Sequence, residues 1–290
     1  MHRTDHEVKR DGKMREKLIC GVVLITTSLV SLTIGGCHES SVEPAALQTG
    51  QALECNGFYG MPNERSGLSP DQCNTQCRCL AGTPADSQPD LSSPVFGYAH
   101  LNPPMLLTSD PYAASDEQIS DENQVCTIEL DHAAQAYFLQ TLNADSVDVN
   151  RITHAGPCGA CSSLADLAVY AANVDLTDPV RACGLEGIGG GSEMNITCLR
   201  ELGFSEACAQ IWYFNTNHTR EICLGECIEH INSSYVDETG QLNSCLACDE
   251  ENSGPIFKYF SGRTRRNSGL PSSICRPCDS ITFVPHSYLK

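Results

Sequence analysis

Hydrophobic and polar positions along the 290-residue chain fall into three regimes. Residues 18–34 form an apolar run free of charged side chains, and residues 38–123 sustain no periodicity. From about residue 124 the 3.6-residue period of an amphipathic helix appears. Ala134, Tyr137, Phe138 and Leu142 fall at i, i+3, i+4 and i+8 after Asp131, and Leu164, Leu167, Ala168 and Ala171 at i, i+3, i+4 and i+7, so both runs predict helices. Ser163 with Asp166 three residues on is a capping-box-like start for the second. Asp178 before Pro179 starts a third, which Gly184 can end. Residues 194–202 close at Gly203, Ser205 caps a helix carrying Cys208, Ile211 and Trp212, and Leu224, Cys227, Ile228 and Ile231 mark another. Strand signals are scarce, the best being residues 281–284 before Pro285. The predicted fold is therefore mainly α: short helices and loops stapled by disulfides, with a small Cys-rich N-terminal knob.

Cysteine changes this picture most. Eighteen in 290 residues is far more than a reduced cytosolic protein carries, and points to an oxidising compartment. The N-terminus agrees, because a basic stretch with Lys9, Arg10, Lys13, Arg15 and Lys17 precedes the apolar run, in the order of an export signal. Ile34, Gly35, Gly36 and Cys37 resemble the lipobox of bacterial lipoproteins. That resemblance implies cleavage before Cys37, lipidation of Cys37, and anchorage to a membrane through the N-terminal lipid. An uncleaved signal anchor and plain secretion are the other readings of the same segment. Parity favours the lipid: Cys20 leaves with the signal and Cys37 carries lipid, so the remaining sixteen can pair completely.

The domain plan that follows is a signal peptide (1–36), a lipidated tether (37–54), a Cys-rich knob (55–79), a linker rich in Pro, Ser and Asp (80–123) and a main helical domain (124–290). Within the linker, residues 95–98 and 105–107 are apolar enough to lie against the main body. Without residues 1–36 the chain keeps 12 Lys or Arg against 32 Asp or Glu, a net charge of −20. Such a surface repels nucleic acid and anionic membranes, which excludes nucleic-acid partners. The expected location is the cell envelope, extracytoplasmic and membrane-anchored.

Three Cys-x-x-Cys pairs, Cys158 with Cys161, Cys245 with Cys248 and Cys275 with Cys278, could be disulfide halves, zinc ligands or redox dithiols. Export favours the first, and no strand-helix pattern of a thioredoxin-like fold surrounds them. Residues 156–161 (GPCGAC) also resemble the papain-like protease signature, which implies Cys161 as nucleophile at a helix start. The chain departs from that pattern, with Ser162 where an aromatic residue follows, Ala155 where a glutamine precedes, and no asparagine after the downstream His286. His154, Cys158 and Cys161 are nevertheless the catalytic candidates, for a thiol-dependent hydrolase. His154, His218, His230 and His286 show no metal-ligand spacing, so neither metal nor cofactor is expected. Arg263, Arg265 and Arg266, between Gly262 and Gly269, are three of the mature chain's 12 basic residues and predict a site for an anionic ligand or substrate. They could instead neutralise Asp249, Glu250 and Glu251. The GIGGGS stretch at 187–192 reads as a flexible connector, and the Asn-x-Ser/Thr triplets at Asn195, Asn217 and Asn232 matter only in a eukaryotic source. The leading expectation is a binding or structural role with an envelope partner; the rivals are an exported hydrolase and metal handling through paired cysteines.

Overall fold

The structure, a computed structural model, describes residues 57–77, 88–114 and 123–290. They lie in one compact unit, Pro44–Lys290. The export signal and Cys37, together with Cys20, Cys55 and Cys79, lie outside the described residues.

Helices carry most of the regular structure, but two sheets stand beside them. The larger sheet overturns the helix expected after Asp131. Strand β4 (Gln124–Asp131) and strand β5 (Ala136–Asn143) form an antiparallel hairpin in which Ile128 faces Leu139 and Glu129 faces Phe138. The period is two: Tyr137 and Leu139 are buried while Phe138 and Gln140 are exposed. Val, Thr and Ile in β4, with Tyr and Phe in β5, fit a pleated surface better than a helix, and the i, i+3, i+4 match was a by-product of spacing. Strand β6 (Ile152–Ala155) pairs antiparallel with β4, and β3 (Ala99–His100) pairs parallel with β5, giving the order β3-β5-β4-β6. The 281–284 segment is not a strand; Val284 is buried with Val125 and Ile152.

Helix α1 (Leu164–Ala172) starts as expected, with Ser163 Oγ accepting from the Asp166 N–H. Helix α2 (Thr177–Glu201) does not stop at Gly184. It runs to Gly191, whose φ of 75° and ψ of −169° turn the chain back on itself. Cys183 and Cys198 then lie 5.4 Å apart between Cα atoms and are disulfide-bonded, whereas 15 residues of straight helix would separate them by about 22 Å. Asn195 Nδ2 donates to the Cys183 carbonyl across the hairpin at 3.0 Å. The glycine stretch is thus the tip of a helical hairpin. Gly184 lies inside the helix and its missing side chain makes room for α3, since a Cβ there would meet Thr216 Cγ2 at 2.6 Å.

Helix α3 (Glu206–Glu229) is capped by Ser205 and absorbs the helix expected around Leu224. Helix α4 (Ser244–Asn252) is bonded to it twice, Cys223 to Cys248 and Cys227 to Cys245. Helix α5 (Gly254–Ser261) follows. Ile128, Tyr137 and Leu139 from the sheet pack with Leu164, Leu167, Leu199, Ile211 and Phe257 from the helices in one core.

The segment expected as a separate knob is sewn to the chain's other end. Strand β1 (Phe58–Tyr59) pairs with β2 (Cys73–Asn74) and with β7 (Arg276–Pro277), and Cys73 and Cys77 are bonded to Cys275 and Cys278. With so few apolar residues of its own, residues 57–77 gain a core only by sharing one: Tyr59 packs with Cys77, Cys278 and Ile281. The 88–114 stretch wraps the body as extended chain broken by two 3-10 turns, Pro94–Gly97 and Pro111–Ala114. Val95 is buried and Phe96, Tyr98 and Leu107 pack on the main core, while Met105 stays 90% exposed.

Candidate functional site

The residues singled out from the sequence do meet in space, but as a closed knot. The loop between β6 and α1 is pinned at both its cysteines: Cys158 is bonded to Cys126 in β4 and Cys161 to Cys208 in α3. Each Cys-x-x-Cys pair reaches outward in this way and none closes on itself or offers a thiolate. The nucleophile expected at Cys161 is therefore replaced by a cross-link, and the start of α1 is held by Ser163 and Asp166 instead. Asp166 also accepts from the Ser205 N–H at 2.8 Å, so one buried carboxylate serves the first turns of both α1 and α3. Burial raises its pKa, and the Ser163 and Ser205 hydrogen bonds work against that rise.

His154 sits beside Ser162, with Nε2 2.8 Å from Ser162 Oγ and Nδ1 2.9 Å from the Ala155 carbonyl. Those partners fix the tautomer: Nδ1–H donates to the carbonyl and Nε2 accepts the serine proton. The pairing has the outline of a base and a nucleophile, yet His154 is 0% and Ser162 1% exposed. Ser162 Oγ also accepts from the Gly159 N–H at 2.7 Å, which makes it a loop clamp.

Arg263 fills the floor of this knot, fully buried. Nε donates to the Cys161 carbonyl at 3.2 Å, one terminal nitrogen to Thr153 O at 3.0 Å, and the other to Ser162 O at 2.9 Å. Asn267 Nδ2 donates to Ala155 O at 2.8 Å. Arg263 and Asn267 thereby satisfy the outer edge of β6, where another strand would otherwise add. Arg265 binds the carbonyls of Tyr170 and Asn173 at the end of α1, where a cation complements the helix dipole. Arg266 is exposed and pairs with Glu250 at 3.1 Å, and Arg276 pairs with the other oxygen of the same carboxylate. The basic cluster predicted to take an external anion is thus engaged with the protein's own backbone and acidic surface.

His286 completes the knot, with Nε2 2.9 Å from Ser268 O and Nδ1 2.7 Å from Tyr288 Oη. Burial first, and Arg263 second, push His286 down to about 3 and hold His154 well below the usual histidine range. A histidine depressed in this way binds fewer protons folded than unfolded, so stability falls as pH drops below about 6.5 and goes on falling toward 3. The loss is about 1.4 kcal/mol per pH unit per histidine. Buried Asp166 and Asp249, both raised, oppose part of this by taking up protons early when folded. The expected result is that His286→Gln flattens the decline of urea midpoints between pH 6.5 and 4. Parallel declines in variant and parent would show that His286 does not set the slope.

A second polar cluster escaped the sequence reading. On α3, Asn215, His218 and Thr219 follow the i, i+3, i+4 spacing of one helix face, opposite Asp249 and Ser253 of the α4–α5 junction. Their i, i+3, i+4 spacing, downstream of the apolar Ile211 and Trp212, was the available signal. Thr219 Oγ1 hydrogen-bonds Asp249, which burial raises, and Ser253 Oγ lies 2.9 Å from His218 Nδ1. Tyr112 from the 88–114 wrap lies over this cluster, its ring stacked on His218 at 4.4 Å between centroids.

Against known proteins, a family described only as being of unknown function (DUF8771) matches residues 192–284. No curated protein and no solved structure matches the chain. The matched stretch runs from the second leg of the α2 hairpin through α3, α4 and α5 to the basic loop and β7. It therefore contains Arg263 and His218 but not His154, Cys158 or Cys161. An open cleft of about 350 Å³ between Ile128, Glu129, Arg151 and Tyr288 borders none of the predicted site residues. No group of three or more metal-ligating side chains occurs among the described residues.

Proposed function

We propose that this chain is an exported lipoprotein, anchored through Cys37, whose disulfide-stapled domain does binding or structural work outside the cytoplasm. One observation carries the reading: all fourteen described cysteines are bonded, in seven disulfides that draw on every Cys-x-x-Cys pair. Such cross-linking marks an oxidising, extracytoplasmic compartment. It also turns the two cysteines best placed for nucleophilic chemistry into fixed points of the scaffold. The engagement of Arg263 and Arg265 with backbone carbonyls favours a protein that acts through its surface over a hydrolase of anionic substrates. No helix among the described residues is long and apolar enough to cross a membrane. The lipid on Cys37 supplies attachment in this reading.

The test is the mass of the protein purified from membranes and alkylated without reduction. The expected product begins at a lipid-modified Cys37 and takes up no label at any described cysteine. Label at Cys158 or Cys161, or an N-terminal peptide that still contains residues upstream of Cys37, would overturn the reading.

A further inference from the structure

The wrap that crosses α3 makes two kinds of contact, and both are forms of peptide recognition. At Leu107 the side-chain amide of Gln210 engages the main chain on both sides: Leu107 N–H donates to Oε1 at 2.7 Å, and Nε2 donates to the Leu107 carbonyl at 2.9 Å. This two-point contact reproduces what a neighbouring strand would offer and does not depend on side-chain identity. Five residues on, Tyr112 is read by its side chain. Its hydroxyl lies 2.7 Å from Asn215 Oδ1 and 3.2 Å from the Ser253 carbonyl, its ring stacks on His218, and Asn215 is itself oriented by Asp249 at 3.4 Å.

Upstream the wrap is tied to β5, where the Leu101 N–H donates to the Tyr137 carbonyl at 2.8 Å and the Asn102 side-chain amide engages both main-chain groups of Leu139. From Pro103 to Ser109 its hydrogen bonds to the body are those of Leu107. Leu101, Asn102, Pro103, Met105 and Leu106 are exposed, as are Thr108 and Ser109. Pro103 and Pro104 keep the run toward Leu107 extended, and Pro111 opens the 3-10 turn (Pro111–Ala114) that presents Tyr112, so both anchors are partly preformed and less entropy is lost on docking. Beyond Asn102 the segment is fixed only at Leu107 and Tyr112, and with most of its surface in water it opens at less cost than the core beneath it.

We infer that α3, with the α4–α5 junction, forms a peptide-binding site filled in cis by residues 101–113. The ligand it takes from another protein is an extended, proline-containing segment with an apolar residue five positions before a tyrosine. The tyrosine socket sets specificity, because phenylalanine would leave Asn215 and the Ser253 carbonyl without the hydroxyl they face. The cis segment competes at high effective concentration, so it acts as a built-in restraint on the site. This inference rests on the reading of the domain as a binding module, whose own test, the thiol count and lipid mass, is separate.

The experiment uses the full mature chain and a fluorescent peptide copying residues 101–113. The Tyr112→Ala variant, with its own strap loosened, should bind the peptide saturably and at least tenfold more tightly than the unsubstituted chain does. A peptide with phenylalanine for tyrosine should bind about tenfold more weakly. Adding Gln210→Ala should weaken binding again. Absence of saturable binding to the Tyr112→Ala variant, or binding indifferent to Gln210, would overturn the inference. Should that variant fail to fold, native-state hydrogen exchange on the unsubstituted protein decides. The Leu107 amide should exchange through a local opening insensitive to low urea, well ahead of Ile128 in β4. Exchange of both at one common free energy would show that the strap never leaves.

Discussion

Replacing Cys73, Cys77, Cys275 and Cys278 together with alanine is expected to cost about 8 kcal/mol, comparable to the whole stability of an ordinary domain. Replacing Cys73 and Cys275 alone should cost only about 2.5 kcal/mol. The difference follows from topology. The two bridges close loops of 202 and 201 residues, so they are nearly the same loop closed twice. With Cys77–Cys278 intact, losing its neighbour reopens a ring of only about eight residues, whereas losing both frees the ends of the whole described chain at a further cost of about 5 kcal/mol. Urea denaturation of the two variants checks this. If the fourfold variant loses no more than twice what the twofold variant loses, constraint of the unfolded chain is not how these bridges stabilise.

The second large effect belongs to Arg263. Arg263→Met keeps much of the volume but removes every donor, leaving the carbonyls of Thr153, Cys161 and Ser162 buried without partners. Stranded buried acceptors cost about 1–3 kcal/mol each, partly relieved by relaxation, so a loss of about 4 kcal/mol is expected. Arg266→Ala should cost under about 1 kcal/mol, since an exposed ion pair with Glu250 is worth little. Thermal denaturation of the pair, three residues apart and formally alike, separates a structural arginine from a solvated one. Similar melting temperatures for both variants would refute the assignment.

The parts of the fold legible in the sequence are those decided by near neighbours. Ser163 and Ser205 start helices, and Gly203, with φ of 104°, follows the end of α2, because caps and left-handed glycines are local devices. The hairpin of β4 and β5 was misread because Tyr137, Phe138 and Leu142 satisfy a helical spacing as well as a strand's, and only pairing across Ile128 and Leu139 decides between them. The α2 hairpin was hidden because Gly184, which looks like a stop, is there for the closeness of α3, while the true reversal at Gly191 lies inside a stretch that reads as a loose connector. An even cysteine count announces cross-linking but leaves the partners open. Arg263 was found as a residue and misjudged in role, because backbone carbonyls, its actual partners, leave no trace in composition. His218 and Asn215 were overlooked as a pair for a related reason: Tyr112, which gives them meaning, arrives from a hundred residues earlier.

The joining of Phe58 and Tyr59 to Arg276 and Pro277 has a consequence for how the protein is made. A ribosome delivers the chain from the amino end, so Cys73 and Cys77 emerge about two hundred residues before Cys275 and Cys278 exist to receive them. Through that interval two reactive sulfurs wait among a dozen others, and any early bond they form must be undone. Maturation therefore cannot be completed piecemeal while the chain is still emerging into the oxidising compartment. It ends with the final sixteen residues, and a chain truncated just short of them should accumulate as a mixture of scrambled isomers that a disulfide isomerase cannot resolve.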